Sequence, residues 1–360
     1  MTTRSHTLLL AALGLTAQVS AHDVSFMQSP SAGESAGKSA GKSATHELTH
    51  ATSPQEMVSK LSYQAQDKSL PTELRVGALR NLANYPSQNA LVAVSRNLQE
   101  SDPALREAAI VGAGPYNIVH RWRMVSPLLT DDTEMVRLAA TANLLRDYGN
   151  LSESQQQALN APTKALIRYL AQKKDTDSQL LLADVYRWYK QWDKAQPLYQ
   201  QLTEQTPDNP QVWLSLADNY RAQKNDGEAI ETLDDAIQRH PSNAALHYSK
   251  ALTLVRLDDK NGAAQEMELA ANMAENNSYY WYLNGVLQEP FDLQKSVGAF
   301  EQAYLISGAP EQLYAVCDIY ARYDNPKTEL CLTELQKVAP EYVIDQIKQK
   351  KDERKMSAHG

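Results

Sequence analysis

The chain has 360 residues, of which 42% are hydrophobic and 22% are charged, proportions that are ordinary for a globular protein. Its 43 acidic residues outnumber its 35 basic residues, which gives a formal net charge of −8 at pH 7. This balance argues against nucleic acid or an anionic membrane surface as a partner, because both attract a basic face.

The first element in chain order has the features of a secretory signal. Arg4 supplies a positive charge, Leu8–Ala17 is an apolar run, and small residues lead up to Ala21, so we expect cleavage after Ala21. The run is too short to span a bilayer, and an uncleaved membrane anchor is the alternative interpretation. Residues 1–21 are therefore predicted to be a signal peptide, and the mature protein to be periplasmic or secreted without membrane insertion.

Residues 22–53 are predicted to be a disordered low-complexity linker, in which a Ser-Ala-Gly-Glu sequence recurs twice in altered form. The linker contains His46-Glu47-Leu48-Thr49-His50, which matches the His-Glu-x-x-His motif of zinc hydrolases. Two histidines four residues apart face one metal ion only on a helix, and the flanking residues show no helical pattern. We predict no functional metal at His46 and His50, with a metal-handling protein or a zinc hydrolase as the alternative function.

Residues 54–150 contain a repeat with a period of 31 residues. The pairs Leu74-Arg75, Leu105-Arg106 and Val136-Arg137 are each followed by an alanine three residues after the arginine. Each block predicts a helix followed by a second amphipathic helix, a pattern that resembles short HEAT-type repeats. The arginines would form either a basic stripe for a ligand or, as we favour, a structural ladder. In the ladder each arginine bonds an acidic group or a helix-end carbonyl of its neighbour.

Residues 151–175 are predicted to form two connecting helices. Ser152 can cap the first of them, and Pro162 suits the first turn of the second.

Residues 176–340 contain a second repeat, with a period of 34 residues. Ala217 and Tyr220 lie on the first helix of its clearest unit, and Ala183 and Tyr186 hold the same places one repeat earlier. This order of large, small and aromatic residues resembles the tetratricopeptide repeat (TPR). We count about five such units, and the consensus weakens toward the end of the chain, as is usual for terminal repeats.

The predicted fold is all-α: a right-handed α-solenoid of helix pairs, with HEAT-like repeats followed by TPR repeats. Residues 341–360 are predicted to be a polar capping helix with a tail that frays from Lys351. The order of these segments resembles the C-terminal half of certain exported multihaem cytochromes c. The chain has no Cys-x-x-Cys-His sequence, so no c-type haem can attach. The resemblance therefore implies a scaffold without a cofactor that docks onto a redox partner.

The resemblance to TPR proteins also implies that the first helix of each pair faces a concave groove that binds a protein or peptide. Exposed aromatic residues among arginines have the composition of interface hot spots, and an ordinary half-packed helix face is the alternative. The function predicted is a non-catalytic interaction scaffold or assembly factor for a redox or envelope complex. The predicted partner-binding residues are Asp184, Arg187, Trp188, Asp218, Arg221, Tyr248, Arg256, Tyr279 and Tyr282.

Cys317 and Cys331 are the two cysteines of the chain and lie on the two helices of the last repeat. In an oxidising compartment they are predicted to form a disulfide, with two buried thiols as the alternative.

Overall fold

The computed structural model describes residues 54–358, and side-chain surroundings from residue 56 to residue 350. This part of the chain is an all-α repeat fold, with eighteen α-helices and no strand. It divides into two compact units, one ending at Leu198 and the other beginning at Tyr199, and we describe each unit separately. Within residues 54–358, none of the helices is both long and apolar enough to cross a lipid bilayer.

The helices are short and follow one another closely, as expected for stacked repeats. They are α1 (Pro54–Gln66), α2 (Thr72–Asn81), α3 (Gln88–Asn97), α4 (Pro103–Gly112), α5 (Ile118–Val125), α6 (Glu134–Leu145), α7 (Glu153–Leu170), α8 (Thr176–Trp188), α9 (Trp192–Gln205), α10 (Pro210–Ala222), α11 (Asp226–Arg239), α12 (Ala244–Arg256), α13 (Lys260–Met273), α14 (Ser278–Gln288), α15 (Leu293–Ser307), α16 (Pro310–Arg322), α17 (Thr328–Leu335) and α18 (Glu341–Ala358).

In the first unit, the three helices that carry the 31-residue pattern stack directly on one another: α2 packs on α4, and α4 packs on α6. The recurring alanines Ala78, Ala109 and Ala140 are buried between these helices. Gly112 shows how close the approach is, because a Cβ atom there would lie 2.8 Å from both the Leu79 carbonyl oxygen and Val94 Cγ2. Small residues at one helical position therefore set the spacing of the stack.

The recurring arginines form the predicted structural ladder. Arg75 donates to the Glu100 carboxylate at 2.9 Å. Arg106 donates from Nε and Nη2 to the two carboxylate oxygens of Asp131, both at 2.8 Å. Arg137 donates to the backbone carbonyl of that same Asp131 at 2.6 Å. The ladder is thus confirmed: charge-assisted hydrogen bonds tie each arginine to the helix ends beside it, and none of the three serves as a free basic stripe.

The prediction of two connecting helices after residue 150 is wrong. Ser152 does begin a helix, with a capping box completed by Gln155, but that helix, α7, continues through Pro162 to Leu170. A proline inside a helix removes one backbone donor, at a cost of about 3 kcal/mol. Leu159 and Leu166 are buried on either side of Pro162, and burial of this continuous apolar face offsets the lost hydrogen bond.

In the second unit, helices pair in the order expected for the 34-residue repeat. We call α10, α12, α14 and α16 the A helices, and α11, α13, α15 and α17 the B helices; each packs on the next along the chain. The small residue of the A helices is buried in every repeat, as Ala217, Ala251, Gly285 and Cys317. A Cβ atom on Gly285 would lie 2.9 Å from the Phe300 ring, so the A and B helices of this repeat are in close contact.

In three A helices, a ring nitrogen of a tryptophan or histidine hydrogen-bonds to the backbone carbonyl of the residue six positions earlier. That carbonyl lies just before the helix begins. Trp213 donates to Pro207 at 2.9 Å, and Trp281 donates to Glu275 at 3.0 Å. His247 holds the same place, with Nε2 at 3.1 Å from the carbonyl of Pro241. The ring nitrogen thus satisfies a carbonyl of the interhelical turn in successive repeats.

His247 differs from the tryptophans because its second nitrogen also has a partner. Nδ1 lies 2.6 Å from Glu266 Oε2, and Glu266 also accepts a 2.7 Å bond from Lys250. A carbonyl and a carboxylate only accept hydrogen bonds, so the protonated imidazolium, in which both ring nitrogens donate, satisfies both partners. The hydrogen bond to Glu266 raises the pKa of His247, against the opposing effect of burial.

The end of the second unit is closed by a disulfide and a terminal helix. Cys317 on α16 and Cys331 on α17 are joined by an Sγ–Sγ bond of 2.01 Å. Helix α18 packs on α16, against which Ile344 and Ile347 are buried. The helix continues to Ala358, and the predicted fraying from Lys351 stays a prediction. Residues 351–358 consist mainly of good helix formers and include no glycine or proline, which explains the extension.

Candidate protein-binding surface

A row of tyrosines follows the A helices of the second unit. Tyr248, Tyr282 and Tyr314 each precede the buried small residue of their helix by three positions, and Tyr279 lies one turn before Tyr282. All four are half-buried, so each packs one side of its ring and leaves part of it exposed. We call these four residues the tyrosine stripe.

Aromatic packing holds three rings of the stripe in place, those of Tyr248, Tyr279 and Tyr282. The ring of Tyr248 stacks on that of Tyr280, with centroids 4.7 Å apart, and meets the edge of Tyr279 at 6.4 Å. Tyr282 makes an edge-to-face contact with Phe300 of α15 at 5.6 Å. Contacts of this kind add about 0.5–1.5 kcal/mol per pair beyond area burial, so the rings are fixed before any partner arrives.

Two hydroxyl groups of the stripe, those of Tyr248 and Tyr282, have raised pKa values. Burial raises the pKa of Tyr248, and the neighbouring hydroxyls of Tyr279 and Tyr280 raise it further. Burial also raises the pKa of Tyr282, together with Tyr279, Asp318 and Tyr314. Tyr248 and Tyr282 therefore keep neutral hydroxyl groups that can both donate and accept hydrogen bonds.

Each charged candidate of the second unit has a partner of opposite charge. Asp218 accepts a hydrogen bond from Arg221, which lies one helical turn away and also reaches the Ser249 carbonyl at 3.4 Å. Arg256 donates from Nε to Asp226 at 2.8 Å, and its side chain remains 45% exposed. Arg221 thus lies near Tyr248, and each of the two arginines is neutralised by a carboxylate.

The remaining three candidates lie in the first unit, on α8. Arg187 donates to Asp184 at 3.0 Å, and its guanidinium lies 5.9 Å from the centroid of the Trp188 ring. Asp184 is only 6% exposed. It can therefore influence a surface contact only through the position it gives to Arg187.

An ionic cluster at the far end of the tyrosine stripe escaped the sequence analysis. Asp318 accepts from Arg322 Nε at 2.8 Å on Oδ2 and from Lys350 Nζ at 2.7 Å on Oδ1. Lys350 also donates to the Tyr314 hydroxyl at 3.1 Å. Arg322 makes a second ion pair, with Glu289, at the end of α14.

A sequence signal for part of this cluster exists. Tyr314 precedes Cys317 by three residues, as Tyr282 precedes Gly285, and Asp318 follows Cys317 directly. Nothing comparable points to Lys350, because it lies in the terminal helix, outside the repeat pattern.

The His46 and His50 pair lies outside the described residues, so its predicted lack of a functional metal stays a prediction. Between residues 54 and 358, the structure brings together no group of three or more histidine, cysteine, aspartate or glutamate side chains that could hold a metal ion.

The tetratricopeptide repeat family profile matches residues 180–244 and 227–278. The repeat class predicted from the 34-residue period is thereby confirmed for this part of the chain. No curated protein matches the chain.

Several solved structures are similar over about half of the chain. The crystal structure of MamA is 17% identical, covers 49% of this chain and 96% of its own, and has a TM-score of 0.37. YrrB, described as a TPR protein with an unusual peptide-binding site, is 17% identical, covers 51% and 96%, and has a TM-score of 0.40. MamA from Desulfovibrio magneticus RS-1 is 14% identical, covers 47% and 96%, and has a TM-score of 0.35.

Proposed function

We propose that this protein is a non-catalytic scaffold that binds a peptide or protein partner on the A-helix surface of its second unit. The tyrosine stripe carries the proposal. Three successive A helices contribute four half-buried tyrosine rings to one surface. Tyrosine is enriched at interface hot spots because its ring supplies apolar area while its hydroxyl keeps a hydrogen bond available.

The charged groups beside the stripe support binding in a second way. Arg221 is held by Asp218, and Arg256 by Asp226, so their side chains are ordered before a partner binds. Preorganised side chains lose little conformational freedom on association, which is a main determinant of affinity at a given contact area. Arg187 and Trp188 of the first unit, where the same ion-pair spacing recurs, are proposed as partner-binding residues of that unit in their own right.

We further propose that the protein acts outside the cytoplasm, as a periplasmic or secreted assembly factor for a redox or envelope complex. The signal-like sequence of residues 1–21 supports export. A disulfide between Cys317 and Cys331 suits an oxidising compartment. The HEAT-like pattern and the resemblance to exported cytochromes support the choice of complex, as an argument from fold-level analogy.

Crosslinking in the native compartment tests the binding surface. A photoreactive residue at Tyr279 should capture one reproducible protein, and the same residue at Leu269 should not. Leu269 is the matched control because it is a large, 43% exposed side chain on the B helix α13. Equal capture at both positions, or no capture at Tyr279, would argue against the stripe as the binding site.

Affinity measurements with the captured partner give the second test. Tyr279→Ala should weaken binding by roughly 2 kcal/mol, the usual loss at a hot spot, and Leu269→Ala should leave it unchanged. The combined change of Arg187, Trp188 and Arg221 to alanine tests the rest of the predicted surface. If that triple variant and Tyr279→Ala both bind like the unmodified protein, the proposal fails.

A further inference from the structure

The far end of the tyrosine stripe is occupied by a side chain of the protein itself. The ammonium group of Lys350 contacts the Asp318 carboxylate and the Tyr314 hydroxyl, and lies 5.5 Å from the centroid of the Tyr314 ring. A carboxylate, a phenol oxygen and an aromatic face are the groups that recognise an ammonium ion in proteins. Lys350 thus occupies a complete ammonium-binding site at the end of the proposed partner surface.

The charges of the cluster indicate which kind of ligand the site would bind in place of Lys350. The cluster contains two carboxylates, Glu289 and Asp318, and two cations, Arg322 and Lys350. Without Lys350, one negative charge remains uncompensated, and it is centred on Asp318. An incoming cation from another molecule would restore the balance.

The geometry favours an ammonium over a guanidinium. The Oδ2 atom of Asp318 is already taken by Arg322 at 2.8 Å, so only Oδ1 is offered to the occupant. Arginine gains its advantage at carboxylates by bonding both oxygens at once, whereas lysine acts as a point charge at a single oxygen. The site therefore suits lysine.

The helix that carries Lys350 makes a limited apolar contact. Among its described side chains, Ile344 and Ile347 are the ones fully buried, and most of the others up to Lys350 are polar and exposed. A segment with so few buried apolar contacts opens at low free-energy cost compared with the repeats themselves. Displacement of this end of the helix does not require the A and B helices to separate.

We propose that Tyr314 and Asp318 form a lysine-binding pocket at the end of the tyrosine stripe, in which Lys350 is the internal occupant. A lysine of the partner displaces Lys350 when the partner lies along the stripe. This inference rests on the proposed scaffold function and specifies one chemical feature of the partner.

The test measures the binding of three fluorescently labelled nonapeptides to the full chain by fluorescence anisotropy. In each peptide glycine alternates with one other residue, which is lysine, arginine or glutamine. Lys350→Gln removes the occupant, and Lys348→Gln is the matched control, because it makes the same charge change at an exposed position of the same helix. If Lys350 fills the pocket in about nine molecules of ten, Lys350→Gln should bind the lysine peptide about tenfold more tightly. Lys348→Gln should bind it as the unmodified protein does.

Three further results are expected. The gain should be smaller for the arginine peptide and absent for the glutamine peptide, and Asp318→Asn added to Lys350→Gln should abolish it. In the unmodified protein, saturating lysine peptide should accelerate amide hydrogen exchange in residues 341–350. Circular dichroism melting curves establish that each variant is folded.

A lysine-peptide affinity no higher in Lys350→Gln than in Lys348→Gln would overturn the inference, as would an equal gain for the glutamine peptide. Unchanged exchange in residues 341–350 during saturating binding would overturn the displacement step. Capture at Tyr279 without any gain in Lys350→Gln refutes only the lysine pocket. A gain in Lys350→Gln without capture at Tyr279 refutes only the scaffold function.

Discussion

The close contact between helices α14 and α15 leads to a prediction about Gly285. A Cβ atom there would lie 2.9 Å from Phe300 Cγ and Cδ1 and 3.0 Å from Cδ2, closer than real Cβ contacts. Phe300 is 4% exposed, so its ring cannot swing into solvent to make room. Gly285→Ala must therefore separate the two helices or tilt the ring.

Two opposing effects determine the size of the change. Overpacking a close contact costs about 1–3 kcal/mol. Replacing glycine by alanine inside a helix stabilises the helix by about 1 kcal/mol and so opposes this cost. We expect Gly285→Ala to lower the local free energy of unfolding by about 1 kcal/mol.

Gly298 supplies a matched control in the partner helix α15. No heavy atom lies within 4 Å of a Cβ atom built there, so Gly298→Ala should gain the helix propensity alone, about 1 kcal/mol. The same chemical change is thus expected to have opposite signs at two positions of one repeat.

Amide hydrogen exchange in residues 278–307 is the appropriate assay, because repeats can open locally. A loss of about 1 kcal/mol corresponds to exchange about fivefold faster in Gly285→Ala. Phe300→Leu should remove most of the penalty in the double variant, since a smaller side chain leaves room for the new methyl group. Exchange in Gly285→Ala as slow as in Gly298→Ala would refute the packing argument.

Three other predictions concern the interactions that hold the repeats together. The pKa of His247 is raised by its hydrogen bond to Glu266, so this bond stabilises the fold below pH 6.5 and the contribution is lost as the pH rises through the folded-state pKa. Urea unfolding at pH 6 and pH 9 checks this: the unfolding free energy of the unmodified protein should exceed that of His247→Asn by less at pH 9 than at pH 6. Arg106→Lys should lower the unfolding free energy by about 2 kcal/mol, because lysine cannot bond both oxygens of Asp131, and an unchanged denaturation midpoint would contradict the ladder. Reduction of the Cys317–Cys331 disulfide should lower the unfolding free energy by about 3 kcal/mol. Denaturation with and without reductant measures this loss, and equal denaturation midpoints would contradict the prediction.

The periodic features of this protein follow from its sequence, because they depend on local spacing. Apolar and small residues at fixed helical positions predicted the all-α fold and the tetratricopeptide register from Ala217 and Tyr220. The 34-residue recurrence of Tyr248 and Tyr282 also placed them on corresponding helices. Residues that recur at the repeat period lie at the same position of equivalent helices, and helix geometry fixes the face on which each side chain lies.

Pairings across helices needed the tertiary structure. Asp218 and Arg221 looked like contact residues by composition, yet the structure shows them bonded to each other. The repeat pattern does not include Lys350, and only the packing of α18 against α16 brings it to Asp318. The continuation of α7 through Pro162 likewise depends on what its apolar face buries. Helix propensity and periodicity act over a few residues, whereas the choice among long-range partners depends on the angles at which whole helices stack.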